Sequence, residues 1–390
     1  MMNIRVEEIK RLQEEIRELS ESSENKRRYK YWKQAGISND YWHGLPKDKE
    51  YLPFTVEMER EAYANVIGFS LNDFYQDPYS YIASSLKMML YKFKNFKDCT
   101  PIGKTIVYYP GAGYEKSIFG GEPVYSKHDA WMSRENIISE RIDIGSLKYP
   151  DFYKSGSMPY THQFYDRLRE LLDQDFILVF PQWNRSPWGV AWHLRGLDNL
   201  LFDIMDDEEW VGEFLQYLTE SRKRWTVERA KFLNTEITTC NIYNDEITSP
   251  VVSPNIYKNL IRPTEIELSN FFGGVNFWHS CGNTTPFMKL INEIPGLHMI
   301  TVSAWSSIEE AVKCYDKDNV TLEIQLHPYD GIIKCNDADY YKKTLIEIKD
   351  KVKGNKATIR AEGIQMCGSS EVEIPKVKKW IDCANDILLL

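Results

Sequence analysis

No stretch of this sequence holds the roughly 18 uncharged apolar residues that a bilayer-spanning helix needs, so no transmembrane segment is expected. An excess of basic charge is missing as well. Lys and Arg number 48 against 57 Asp and Glu, a formal charge of −9, which argues against a phosphate backbone as partner and so against nucleic acid. Residues 1–22 are charged and helical in pattern rather than basic and then apolar, so no secretory signal is expected and the protein is read as cytoplasmic. The seven cysteines (Cys99, Cys240, Cys281, Cys314, Cys335, Cys367 and Cys383) are odd in number and scattered, unlike a disulfide framework, and fit a reducing compartment. A phosphate-cradling glycine pattern is also absent. Pro110-Gly111-Ala112-Gly113-Tyr114 follows a β-rich run but fits neither G-x-G-x-x-G nor a loop ending in Lys-Ser or Lys-Thr.

What is abundant is aromatic: 24 Tyr, 17 Phe and 11 Trp, enough for heavy core packing or for walls around a flat ligand. A chain of 390 residues can hold two average domains or one large barrel with additions. In residues 3–36 the apolar positions Ile9, Leu12, Ile16 and Leu19 fall at helical spacing, and 56–68 and 79–93 are further helical runs without a strand-rich block. Residues 1–100 are therefore read as a helical N-terminal extension or cap. Strand patterns follow at 105–109, 176–180, 239–243, 274–279, 298–302, 321–326 and 357–361, with helical patterns at 160–172, 188–201, 210–233 and 340–352 between them. Alternation at this spacing means parallel strands, in either an open doubly wound sheet or a closed ring. The ring is preferred because the strands end in groups capable of chemistry, which only a barrel gathers at one mouth. The expectation is an α/β protein, a (β/α)8 TIM-type barrel over residues 101–390, with an irregular substrate cap at about 110–160.

The chain turns on residues 277–284, Phe-Trp-His-Ser-Cys-Gly-Asn-Thr, where an aromatic strand gives out into a turn. Residues i and i+2 of a strand share a face, so His279 and Cys281 point the same way. Imidazole nitrogen and thiolate sulfur both suit zinc, although a buried His-Cys pair can equally be core. If the strand ends converge, Cys367 becomes the natural third ligand, and Asp245 or Glu246 can supply an oxygen ligand or a carboxylate that orients His279. Asp245 and Glu246 are the candidate catalytic pair. Trp183, Arg195, Trp305, Gln325 and His327 are candidate substrate-binding residues. For Arg195 the alternative is an ordinary helix-surface ion pair, and for His327 a plain loop residue. Cys240, Cys314, Cys335 and Cys383 have no partner at metal spacing.

The run from His279 to Pro286 resembles the H-x-C-G-N-T signature of the uroporphyrinogen decarboxylase superfamily, in particular its corrinoid-dependent methyltransferase branch. Residues 244–254 with Ile261-Arg262-Pro263 resemble that family's acidic strand end, Ser-Pro turn and following helix. Residues 188–210 resemble its helix pair, and 363–375, containing Cys367, its C-terminal segment. The resemblance covers about residues 160–390. It implies a (β/α) barrel, a zinc held by His279, Cys281 and Cys367, and transfer of a methyl group between a small molecule, such as an aromatic methyl ether, and the cobalt of a separate corrinoid protein. No D-x-H-x-x-G cobalamin motif is present, so the corrinoid is expected on a partner chain. True decarboxylases of the superfamily carry R-Q-A-G-R, of which Lys33-Gln34-Ala35-Gly36-Ile37 keeps only the middle. Cofactor-free decarboxylation, a methylcorrinoid:thiol methyltransferase and a non-catalytic corrinoid-binding barrel are the alternatives.

Overall fold

The structure, a computed structural model, describes residues 2–38, 41–125, 131–366 and 368–389. Strands form at every position read from the sequence, and one more barrel strand precedes them. In chain order they are β1 (Phe54–Met58), β2 (Thr105–Val107), β3 (Ile177–Val179), β4 (Cys240–Tyr243), β5 (Val275–His279), β6 (Met299–Val302), β7 (Thr321–Leu326) and β8 (Ala357–Ile364). They are short and largely apolar, and β1 and β6 are buried at every residue. Parallel strands covered by helices on the outside read this way.

A six-stranded parallel ladder runs in the order β1-β8-β7-β6-β5-β4, and β2 pairs with β3 in a second parallel ladder. The residues after β3 join the two: Arg185 makes a parallel bridge to Tyr243, and Tyr243 N donates to Asn184 O at 2.9 Å. At the other seam Cys99 N donates to Phe54 O at 2.9 Å, and the Asp98 carboxylate accepts Val56 N at 2.9 Å. The ring so formed is a TIM-type (β/α) barrel.

The N-terminal part is more than a helical layer. Helices Met2–Ser20 and Ser23–Tyr29 form as expected, and Ile9, Leu12 and Ile16 are buried in a core shared with helix Pro78–Asn95. Trp32–Ser38 and Tyr41–Pro46, however, pair as an antiparallel hairpin, so the Lys33–Gly36 piece lies on a strand and not in a helix. Gly44 is required there, because a Cβ at that position would stand 2.3 Å from the Trp32 ring. The barrel also starts earlier than position 101. Residues 54–58 form β1, and the helix read from 56 begins only at Arg60. Phe-Thr-Val-Glu-Met alternates apolar and polar residues, yet both polar positions are buried, and Glu57 takes the Lys92 ammonium at 2.5 Å from the helix packed alongside. A local pattern holds no information about that partner.

Between β2 and β3 the chain is irregular, as expected, with the short helix Tyr114–Ile118 and a 3-10 turn at Ile144–Ser146. It is tied down at several points: Lys116 Nζ donates to the Ser133 and Glu135 carbonyls at 2.7 Å, and Ile138 N to Leu194 O at 2.9 Å. The helical run at 188–201 divides into Pro187–Arg195 and Leu197–Asp206 at Gly196, whose φ of 83° only glycine adopts easily. Among the described residues no helix is long and apolar enough to cross a membrane.

The position of β1 is testable through Phe54, which is fully buried with its ring edge-on to Trp380 at 5.5 Å between centroids. Phe54→Ala is expected to lower stability by about 3–5 kcal/mol. Denaturant unfolding should show a lower midpoint at an unchanged slope, whereas a residue preceding a surface helix would cost almost nothing.

Candidate metal centre

β4 and β5 end side by side, with Tyr243 in register with His279. The turn after β4 carries Asp245 and the turn after β5 carries Cys281. His279 Nε2 lies 3.2 Å from Cys281 Sγ and 3.3 Å from Asp245 Oδ1. One ligand atom from each of Asp245, His279 and Cys281 falls within 4.8 Å of the others. Ligands held 2.0–2.3 Å from a tetrahedral ion stand about 3.3–3.8 Å apart, so the nitrogen, sulfur and oxygen are close to the spacing a zinc ion would impose. The other ring nitrogen, Nδ1, is 2.8 Å from Thr301 Oγ1, which leaves Nε2 to face the cluster. Cys367 lies outside the described residues.

The electrostatics suit a cation at the centre of the three. Burial favours the neutral form of His279, but its acidic neighbours prevail and hold its pKa well above that of free imidazole. Cys281 and Asp245 both favour a proton on the ring, while burial raises the Cys281 thiol above its ordinary value. Asp245 itself is held far below the usual carboxylate range: His279 and Arg185, whose Nη2 is 3.8 Å from Oδ2, overcome its burial. A proton thus occupies the place where a divalent ion would satisfy all three groups at once.

The cluster opens on a cavity of about 360 Å³ lined by Tyr109, Gln182, Tyr243, Arg185, Arg360 and Glu362, among others. Gln325, expected at the site, is there. Its amide donates to Glu362 and lies 4.0 Å from Cys281 Sγ. Glu362 also takes Arg360 Nη2 at 2.6 Å, yet burial raises its pKa above that of a free carboxyl.

The remaining expected residues divide. Trp305 stands 64% exposed on the rim, beside a shallow depression shared with Asp245 and Cys281. His327 is set back from the cluster, its ring edge-on to Trp305 at 5.5 Å and its Nδ1 accepting Asp330 N at 3.1 Å. Glu246 does not line the cavity. It is buried against Gly189, pairs with Arg185 and lies 3.2 Å from His193 Nε2, so it holds the arginine that in turn meets Asp245. Arg195 is a structural ion pair: its guanidinium grips both oxygens of Asp203, at 2.7 and 3.1 Å, and bonds the carbonyls of Ile138 and Ser139. Trp183 is core, edge-on to Phe119 and Trp225. Sequence reasoning passed over Arg185 and Arg360. A signal existed for the second, the one charged residue within the strand pattern 357–361.

No family model matches the chain, and no curated protein does. Solved structures do: 22 chains match, among them a methyltransferase from Methanosarcina mazei. The two share a fold. At 14% identity the superposition covers 86% of this chain and 94% of the other, with a TM-score of 0.62.

Behind the cluster lies one more carboxyl. Glu265, on helix Arg262–Phe272, accepts from Asn244, from the Tyr257 hydroxyl at 2.6 Å and from the Trp278 indole at 3.2 Å, and so ties β4 to β5 just below Asp245 and His279. Burial outweighs these donors and raises its pKa to about 7. A folded-state value above the unfolded one, about 4.3, means that this group's contribution is complete below pH 4 and is lost as pH rises to 7. Wild-type stability should accordingly fall by on the order of 3 kcal/mol more than that of Glu265→Gln between pH 4.5 and 8. Denaturant titrations of the two proteins across that range measure the difference, and parallel curves would contradict the assignment.

Proposed function

We propose that this chain is a zinc-dependent methyltransferase that moves a methyl group between a small methylated substrate and the cobalt of a corrinoid carried on a separate protein. The observation that carries the proposal is the convergence of His279, Cys281 and Asp245 at the mouth of the barrel. The fold shared with a methyltransferase adds support, and so does the H-x-C-G-N-T run. His279 and Cys281 hold the zinc, with Asp245 or Cys367 completing the protein's share. When bound, zinc supplies a Lewis acid that polarises an ether oxygen or lowers the pKa of a thiol or alcohol.

The chain's own groups supply the rest. Glu362, whose pKa burial raises above that of a free carboxyl, faces the cavity and is the carboxyl we assign to the oxygen leaving as phenolate or alkoxide. Arg360 and Gln325 fix that carboxyl from two sides. Tyr108, Tyr109, Tyr114 and Tyr243, and not the tryptophans expected from the sequence, give the cavity its aromatic lining, which suits an aromatic methyl ether and hence O-demethylation. Trp305, exposed on the rim, is the residue we assign to contact with the corrinoid protein. A cytoplasmic location accords with this chemistry.

Decarboxylation of a porphyrinogen is less well supported, because the cavity's two arginines are already engaged. Arg185 pairs with Glu246 and Asp245, and Arg360 with Glu323 and Glu362. Neither is left to receive a row of substrate carboxylates.

The test is metal analysis joined to an anaerobic transfer assay. Purified protein should hold one zinc per chain and demethylate an aryl methyl ether when given a corrinoid protein reduced to cobalt(I). Cys281→Ser and His279→Ala should lose zinc, and transfer should fall by more than about 100-fold, the upper range for removing a ligand's supporting partner. Full transfer by a metal-free protein ends the proposal.

A further inference from the structure

The nitrogen of His279 that faces away from the cluster begins a buried path. Nδ1 is 2.8 Å from Thr301 Oγ1, that hydroxyl is 3.3 Å from Glu323 Oε2, and Glu323 Oε1 is 3.0 Å from His43 Nδ1. All four side chains are buried. His279, Thr301 and Glu323 lie on three successive barrel strands, Thr301 in register with Glu323. His43 does not belong to the barrel strands at all. It comes from the N-terminal hairpin, and its ring lies against Phe277 with centroids 4.2 Å apart. Nε2 of His43 is 3.4 Å from the Tyr243 hydroxyl, on the strand that leads to Asp245.

Proton placement along this path follows from the chemistry of its members. Glu323 is buried, but Arg360 and His43 hold its pKa down to about 2, so the carboxylate only accepts. Burial and Arg360 push His43 down to about 4, so the ring is neutral and carries its one proton on the nitrogen facing Glu323. Thr301 has a single proton to give, and it goes to Glu323. The hydroxyl's lone pairs are then left for the proton on His279 Nδ1, which fixes Nε2 as the nitrogen that meets Cys281 and Asp245. A buried set of charges such as Arg360, Glu323 and Glu362 gives no more stability than apolar packing of the same volume. What it provides here is direction.

We propose that Glu323 and His43 are positioning residues of the metal centre, acting through Thr301 to set the tautomer and the rotation of His279, and that the N-terminal hairpin is thereby part of the metal-binding machinery. The inference rests on the zinc reading for its ligand and goes beyond it in assigning residues that touch neither metal nor substrate.

Zinc affinity, read by competition with a chromophoric chelator at fixed pH, tests it without any turnover. Thr301→Val and Glu323→Gln are expected to bind zinc about 10- to 100-fold more weakly than wild type. His43→Phe, one step further out, should weaken binding in the same direction by less, and Thr301→Ser, which keeps the hydroxyl, should restore it. Cobalt(II) placed in the site should show a shifted visible band in Thr301→Val and a wild-type band in Thr301→Ser. Thermal unfolding of the chelated proteins separates loss of fold from loss of positioning, and Thr301→Val removes only a hydrogen-bonding atom should Glu323→Gln fail to fold. Wild-type affinity in both Thr301→Val and Glu323→Gln overturns the relay while leaving the metal centre intact. A wild-type protein that takes up no zinc overturns both.

Discussion

A carboxylate sealed inside a ring of strands must find positive partners or give up its charge. Glu323 meets that requirement with the Arg360 guanidinium from the neighbouring strand, neutral His43 of the hairpin adding a hydrogen bond, and much of the molecule's interior follows from the arrangement. Barrels of this type usually fill their axis with layers of branched apolar side chains. Here polar side chains from β4 to β8 run along part of the interior: Tyr243, His279, Thr301, Glu323 and Arg360 are linked by contacts of 3.5 Å or less or by ring contacts. Each pins the next, so the side chains that reach the mouth arrive with their orientation already set. The same principle holds at the periphery, where Glu57 and Lys92, Arg28 and Asp98, and Arg195 and Asp203 are buried ion pairs between separate elements.

That arrangement also explains which parts of the fold could be read from the chain. Seven barrel strands are legible because each is a short run of buried apolar residues ending in polar ones, and the ring was inferred from where those polar ends fall. β1 escaped because its character depends on Lys92, some 35 positions further along, which neutralises Glu57 and lets an alternating segment be buried on both faces. The hairpin escaped for a similar reason. Its pairing places His43 against partners 200 and more positions away, and no local period encodes such a contact.

For the site the division is equally physical. The pairing of His279 with Cys281 is a property of any strand end, since alternate residues share a face, and it required only the right two residue types. Asp245 could be placed nearby because β4 precedes β5 and parallel neighbours end at the same level. Glu246, the next residue of the same turn, goes to Arg185 and His193 instead of the cavity. Tryptophan near a strand end proved a poor guide. Trp183, Trp188 and Trp278 are large enough that the core claims them, whereas Trp305, on the rim, remains open to a partner.

The charge on the proposed centre argues for what such a site is able to do. With Cys281 as thiolate, Asp245 as carboxylate and His279 neutral, a divalent ion gives a cluster of no net charge. Exchanging the carboxylate for the sulfur of Cys367 leaves that total unchanged, so the Lewis acidity asked of the site does not depend on which of the two completes it. What does depend on it is the neighbouring proton. Asp245 engaged with metal draws less on Arg185, while Asp245 left free stays within reach of both Arg185 and His279. Glu362 is tied to the same exchange: the charges of His279 and Asp245 both bear on its carboxyl, and Gln325, which donates to it, lies 4.0 Å from Cys281 Sγ, so a change of ligand set is felt across the cavity.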